Sequence, residues 1–327
     1  MTDSAASSYL QDLTLRLALG ASGLETPLAR LHGDWLVGQQ RKDGGFAGRE
    51  GESDPYYTAF ALRGLWILGR LDRPIAENAG RFLRGRMVRR EGVVDLISLI
   101  FAAAICELSA GVVVIEDEDR EWQNRVAELL ASLRTDDGGF AKTPEGRAGS
   151  TYQTFLSVLC HELLDTDIQD PERVVKFLES QAHSDGGYLE IRAAKRPGVN
   201  PTAAAVGTLK TLGRLADCEA DSVVAFLCDQ QSDEGGLAAN TRIPFADLLS
   251  TCTGMITMTD LSPFASSDSF GGLSVERIRQ YALSMQDANG GFHGFALDQT
   301  ADVEYTFYGL ATLALIQLVD SAPMTDN

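Results

Sequence analysis

The chain has 327 residues, 44% of them apolar, and a formal charge of -18 with a pI near 4.6. So acidic a surface repels phosphate backbones and anionic lipid heads, which argues against nucleic acid as a partner. No uninterrupted apolar run of roughly 18 residues, the length a membrane span needs, is present. Met1-Thr2-Asp3-Ser4 opens without the basic and apolar regions of a secretion signal, and Cys106, Cys160, Cys218, Cys228 and Cys252 are scattered without a C-x-x-C pair, so a cytoplasmic protein with reduced thiols is expected.

In chain order, residues 1–26 read as an N-terminal segment with an additional helix. From there a two-part unit recurs. A mixed helix with one charged face comes first, then paired glycines, a loop, and a far more apolar helix. The glycine phrase is Gln40-Arg41-Lys42-Asp43-Gly44-Gly45-Phe46, then Asp137-Gly138-Gly139-Phe140, Asp185-Gly186-Gly187-Tyr188, Glu234-Gly235-Gly236-Leu237 and Asn289-Gly290-Gly291-Phe292. The degenerate Arg90-Glu91-Gly92-Val93 stands midway between the first two, so the steps are 47, 47, 48, 49 and 55 residues. Mixed helices are predicted near 27–41, 75–89, 121–134, 171–182, 220–231 and 273–286, and apolar ones near 55–69, 95–110, 151–164, 200–214, 246–259 and 302–318. Residues 321–327 read as a disordered tail, and the run Glu116-Asp117-Glu118-Asp119 as a solvated loop.

A period near 47 means a repeat architecture in which each unit buries its apolar face on its neighbours. Two concentric rings, six apolar helices inside six mixed ones, satisfy both patterns: an all-α (α/α)6 toroid spanning 27–320. Each apolar helix follows its glycine loop, so all six should begin at one mouth. Their openers are Asp54, Asp95, Ser150, Asn200, Asp247 and Asp302.

The register of Gly-Gly-aromatic phrases before apolar helices resembles the prenyltransferase and squalene-cyclase repeat. That family includes the β-subunits of protein prenyltransferases and the class II terpene cyclases. The resemblance implies a toroid around an apolar cavity that holds an isoprenoid chain, and the length resembles one-domain cyclases. The prenyltransferase zinc site matches at Asp247 alone. Leu249 stands in the cysteine place and Tyr305 in the histidine place, and leucine ligates no zinc. No Asp-x-Asp-Asp signature, whose central acid protonates the substrate, is present, nor Asp-Asp-x-x-Asp, nor a Cys-Gly-Glu-Gln thioester. No metal and no cofactor are expected.

Protonating an alkene needs a carboxylic acid kept neutral by apolar surroundings. Asp95, in Val93-Val94-Asp95-Leu96-Ile97, and Asp247, flanked by Phe245, Ala246 and Leu248, are the candidate acids; for both, helix capping is the competing reading. Asp54 before Pro55 reads as a cap, and Asp302 likewise. Aromatic faces stabilise carbocations, and Tyr57, Phe60, Phe101, Tyr152, Tyr305 and Phe307 are the candidate substrate-binding residues, with core packing as the alternative. The helix openings set Tyr57 and Tyr305 in equivalent places and Tyr152 one place off. Cys252 is a conceivable ligand or nucleophile, or a small core residue. Gln40, Gln181, Gln231 and Gln286 are expected to bond backbone between outer helices. The sequence therefore points first to an acid-initiated terpene or meroterpenoid cyclase, then to a divergent prenyltransferase β-like enzyme that would need a metal and an α-helical partner subunit, then to a non-catalytic lipid- or protein-binding toroid.

Overall fold

The computed structural model describes residues 8–87, 92–116, 120–264, 270 and 272–321. The Arg90-Glu91 half of the degenerate phrase, the acidic residues 117–119 and the tail from 322 onward lie outside the described residues. The described residues form an all-helical chain. Helix α1 (Tyr9–Ala21) precedes six pairs: α2 (Thr26–Gly38) with α3 (Pro55–Ile67), α4 (Arg73–Arg86) with α5 (Val93–Ala110), α6 (Arg120–Ser132) with α7 (Thr151–Leu163), α8 (Pro171–Gln181) with α9 (Val199–Thr211), α10 (Ala220–Asp229) with α11 (Leu248–Leu261), and α12 (Val275–Ser284) with α13 (Val303–Ser321).

The odd-numbered helices from α3 onward make the inner ring. Each packs on the next, and α13 packs back on α3, so the ring is closed. The seam is built from polar groups of the first and last repeats. Gly291 donates its N–H to His32 Nδ1 (3.0 Å), which leaves the proton on Nε2 to reach Gln286 Oε1 at 2.9 Å. Burial holds His32 below the usual imidazole range, consistent with that neutral tautomer. Arg49, from the first glycine loop, pairs with Asp298 and Asp302 of the last.

The glycine pair explains the period. Gly138 has φ +97°, a conformation a side chain resists, and a Cβ there would stand 2.3 Å from the Arg173 carbonyl oxygen. A Cβ on Gly139 would stand 2.9 Å from the Phe177 ring. The pair therefore lets the next outer helix lie directly on the turn. Phe82, Phe226, Tyr281 and Trp35 occupy the corresponding places over the other phrases. The residue after each pair then donates its N–H to a threonine one turn into the inner helix: Phe46 to Thr58 (3.0 Å), Phe140 to Thr154, Tyr188 to Thr202 and Leu237 to Thr251 (2.9 Å each), and Phe292 to Thr306 (3.0 Å). Replacing Thr154 by valine leaves a buried N–H without its acceptor. It is expected to cost about 1–3 kcal/mol in urea unfolding, with little change in the slope.

Gln40 and Gln231 bond the outer-helix backbone ahead of them, at Ile75 O (2.9 Å) and Ser274 O (3.0 Å). Gln286 instead bonds His32. Gln181 does not make the bridge: its amide reaches Ser180 Oγ. It stands one residue early, and Ala182 occupies the bridging place four residues before the glycine.

Helix α5 has a mean hydropathy of 2.1 and is long and apolar enough to cross a membrane. In the toroid its apolar surface is taken up by α3, α4 and α7. All five cysteines are unpaired.

Candidate functional site

A cavity of about 470 Å³ occupies the middle of the inner ring, within the usual range for small-molecule sites of about 300–1,000 Å³. Its wall follows one register on every inner helix. The second residue of each helix forms the rim: Tyr56, Val94, Tyr152, Asn200 and Leu249 line the cavity, and the sixth member, Glu304, bonds Tyr56. The sixth residues form the middle tier, with all of Phe60, Ser98, Leu156, Ala204, Thr253 and Tyr308 on the wall. The ninth residues supply Arg63, Phe101, Leu159 and Ile256 below them. These offsets of four and seven are the inward stripe of an α-helix.

Helix α1 closes the lower end. Tyr9, Leu10 and Leu13 face the cavity. The helix is held there by Asp260 near the end of α11, which accepts from Tyr9 Oη (3.1 Å), Arg16 (2.8 Å) and Lys210 (2.7 Å). Glu162 of α7 accepts the Tyr9 N–H at the start of α1 (2.9 Å).

Of the candidate residues, Phe60, Phe101, Tyr152 and Phe307 come together on the wall. Asp95, Tyr57 and Tyr305 are third residues of their helices and are not among those lining it. Tyr57 and Tyr305 turn sideways onto their own glycine loops, where a Cβ on Gly48 or Gly294 would touch the ring (2.6 and 2.7 Å). The inward register is that of Tyr152, the tyrosine set one place off, whose hydroxyl burial pushes up to about 12. Asp95 is half-buried in the first turn of α5, whose wall residues are Val94, Ile97, Ser98 and Phe101. Asp247 is also off the wall. Its carboxylate caps α11, accepting from the Ser250 N–H (2.6 Å) and hydroxyl (2.9 Å), while burial raises its pKa. Asp54 and Asp302 cap α3 and α13 through Tyr57 N (2.8 Å) and Tyr305 N (2.9 Å). Cys252 is fully buried, its thiol pushed up to about 12 by desolvation. Among the described residues, no three His, Cys, Asp or Glu side chains gather as metal ligands would.

Two carboxyls at the rim went unnoticed in the sequence. Glu190 is on the wall, accepting from the Ser150 hydroxyl, with burial raising its pKa. Glu304 sits at the head of an aromatic cluster. Its carboxylate accepts from Tyr56 Oη at 2.6 Å, and Tyr308 stands one turn along its own helix. Below it, Phe60 lies 4.9 Å from Tyr56, 5.2 Å from Tyr308 and 5.6 Å from Phe307, centroid to centroid. Desolvation raises the Glu304 pKa, and the two phenols partly oppose that. A signal for Glu304 was present: Asp302-Val303-Glu304 keeps the spacing from the first to the central acid of Asp-x-Asp-Asp, with glutamate in the central place.

The family profile of the prenyltransferase alpha-alpha toroid domain matches residues 28–80 and 99–326. No curated protein sequence matches the chain. Among solved structures, it is similar to a variant of the type II terpene cyclase MstE from Scytonema, solved in complex with geranylgeranyl dihydroxybenzoate: 14% identity, TM-score 0.63, covering 95% of this chain and 99% of that one. A protein from Actinoplanes is similar at 16% identity and TM-score 0.61 (90% and 99% covered). An alpha-1,6-mannanase from Salegentibacter is similar at 13% identity and TM-score 0.57 (90% and 99% covered). At these identities what is shared is the fold, and the mannanase carries it with a different chemistry.

Proposed function

The chain belongs to the prenyltransferase alpha-alpha toroid family, and on that premise we propose that it is a class II cyclase of an isoprenoid chain, with Glu304 as proton donor. The observation that carries the reading is the position of Glu304. It occupies the rim register of α13, with the cavity-lining phenol of Tyr56 on its carboxylate and burial favouring its neutral form. A neutral carboxyl group there can protonate a terminal alkene. The Tyr56 hydroxyl stabilises the anion left behind. The resulting carbocation meets the faces of Phe60, Phe307 and Tyr308, which lower its energy through the ring quadrupole without capturing it. Later alkenes close rings, and a proton lost at the end restores the acid, so substrate and product have equal mass.

Glu190, on the wall and bonded by the Ser150 hydroxyl rather than by a phenol, is the second candidate donor. Asp247 is engaged as the cap of α11 and Asp95 stands outside the rim register, so neither is assigned the role. Prenylated aromatics of the kind bound by the Scytonema cyclase are the first substrates to try. Five unpaired thiols fit a reducing, cytoplasmic compartment.

The test is incubation with farnesyl- and geranylgeranyl-bearing substrates, read by mass and by olefinic NMR signals. A product of unchanged mass with fewer alkenes supports the proposal. Transfer of a prenyl group to an acceptor, or retention of unchanged ligand with no product, overturns it. A companion variant, Tyr56→Phe, removes a donor that lowers the Glu304 pKa. Its pH–rate profile is expected to keep activity to higher pH on the alkaline limb. Its plateau rate should fall, because the conjugate base loses a hydrogen bond.

A further inference from the structure

Among the described residues, Arg63 has no counter-ion. It extends from the ninth position of α3 into the lower cavity, roughly 10 Å along the helix from the rim. Its guanidinium stacks 3.9 Å over the Phe307 ring and lies 5.5 and 5.4 Å from Phe60 and Phe101. Among the described residues no carboxylate or carbonyl accepts a hydrogen bond from it, and its Nε is buried without a partner. The residue is deep in the protein, and the surface it keeps is turned to the cavity rather than to bulk water. Ring faces offset part of the desolvation of a cation but accept none of the five N–H bonds a guanidinium makes. By contrast Arg16, Arg49 and Lys210, which are closer to solvent, all have carboxylate partners.

We propose that Arg63 is the receptor for a carboxylate carried by the substrate, which makes the ligand an isoprenoid carboxylic acid lying with its head on the cavity floor and its terminal alkene at the rim. This rests on the cyclase reading for the direction of the chain, but the binding site stands without it. A single unpaired cation matches a monoanion. The guanidinium fork matches the planar carboxylate, whereas a diphosphate would bring more negative charge than one arginine answers. The rim cannot hold the anion, because Glu190 and Glu304 are there and Arg49 is already paired with Asp298 and Asp302. The pairing also serves cation chemistry. A bare guanidinium stacked on Phe307 opposes a carbocation on the same ring cluster, and a bound carboxylate neutralises it.

The experiment measures binding of farnesoic acid, its methyl ester and farnesyl diphosphate to the wild-type chain, Arg63→Met, Arg63→Lys and Glu304→Gln by calorimetry. The acid is expected to bind wild type roughly 10- to 100-fold tighter than the ester, the range for a charge-assisted pair. Arg63→Met should abolish that preference with ester affinity unchanged, and Arg63→Lys should restore part of it. Without ligand, Arg63→Met should melt at or above the wild-type temperature, since a methionine suits the apolar floor. Equal binding of acid and ester to wild type, retention of the preference by Arg63→Met, a lower melting temperature for that variant, or an Arg63-dependent preference for the diphosphate each overturns the assignment. Glu304→Gln should keep the acid preference, so loss of turnover with carboxylate binding intact separates failure of the proton-donor reading from failure of this one.

Discussion

Glutamine in place of Glu304 is expected to lower kcat for cyclisation by about 10²–10⁴-fold, the usual contribution of a positioned general acid. The amide keeps the shape and can accept from Tyr56, so substrate affinity and folding should change little. Single-turnover product formation with a binding isotherm alongside checks this; a variant that cyclises at the wild-type rate removes Glu304 from the mechanism. The wild-type pH profile carries the same information. Burial raises the Glu304 pKa in the folded chain, so the active neutral form persists above the ordinary carboxyl range. Activity is then full below that raised pKa and is lost as pH rises through it. The same shift makes the group's stability contribution fully present below its unfolded pKa and lost as pH rises through the folded value.

Asp260→Ala should have the largest effect on stability. The carboxylate is 1% exposed and answers both Arg16 and Lys210, while Tyr9 donates to it from the cavity floor. Removing one partner of a buried pair costs about 3–5 kcal/mol when the other charge stays buried. Here the two cations are 26% and 28% exposed and regain some water, so about 2–4 kcal/mol is the expectation. The loss should fall on α1. Amide exchange in Tyr9–Ala21 should quicken more than in the inner ring, and an apolar dye should gain access to the cavity. Uniform destabilisation with α1 still protected would show that α1 is held by its packing, chiefly on α13 and α3, without Asp260.

Much of the fold was legible because its signals are local and repeated. A glycine pair recurring near every 47 residues, each followed by an apolar helix, is readable without knowing what touches what, and helix boundaries agree within a few residues. Capping was legible for the same reason: Asp54, Asp247 and Asp302 bond backbone within their own first turns. The site was less legible because it depends on the rotation of each helix about its axis. One residue of offset turns a side chain by about 100°, from cavity to glycine loop. Tyr152 points inward and Tyr57 sideways for this reason, and Glu304 accepts from the rim residue Tyr56 while its neighbour Tyr305 covers Gly294.

The amino-acid order by itself determined the twelve-helix repeat and the end at which the inner helices begin, since period and helix breaking are properties of short stretches of chain. Only the closed ring decided which residues meet. Glu304 finds Tyr56 from the opposite end of the sequence, and Arg63 finds Phe307 but, among the described residues, no carboxylate. Such encounters are fixed by how helices are turned when packed, and packing is settled by the summed burial of all six repeats rather than by any one of them.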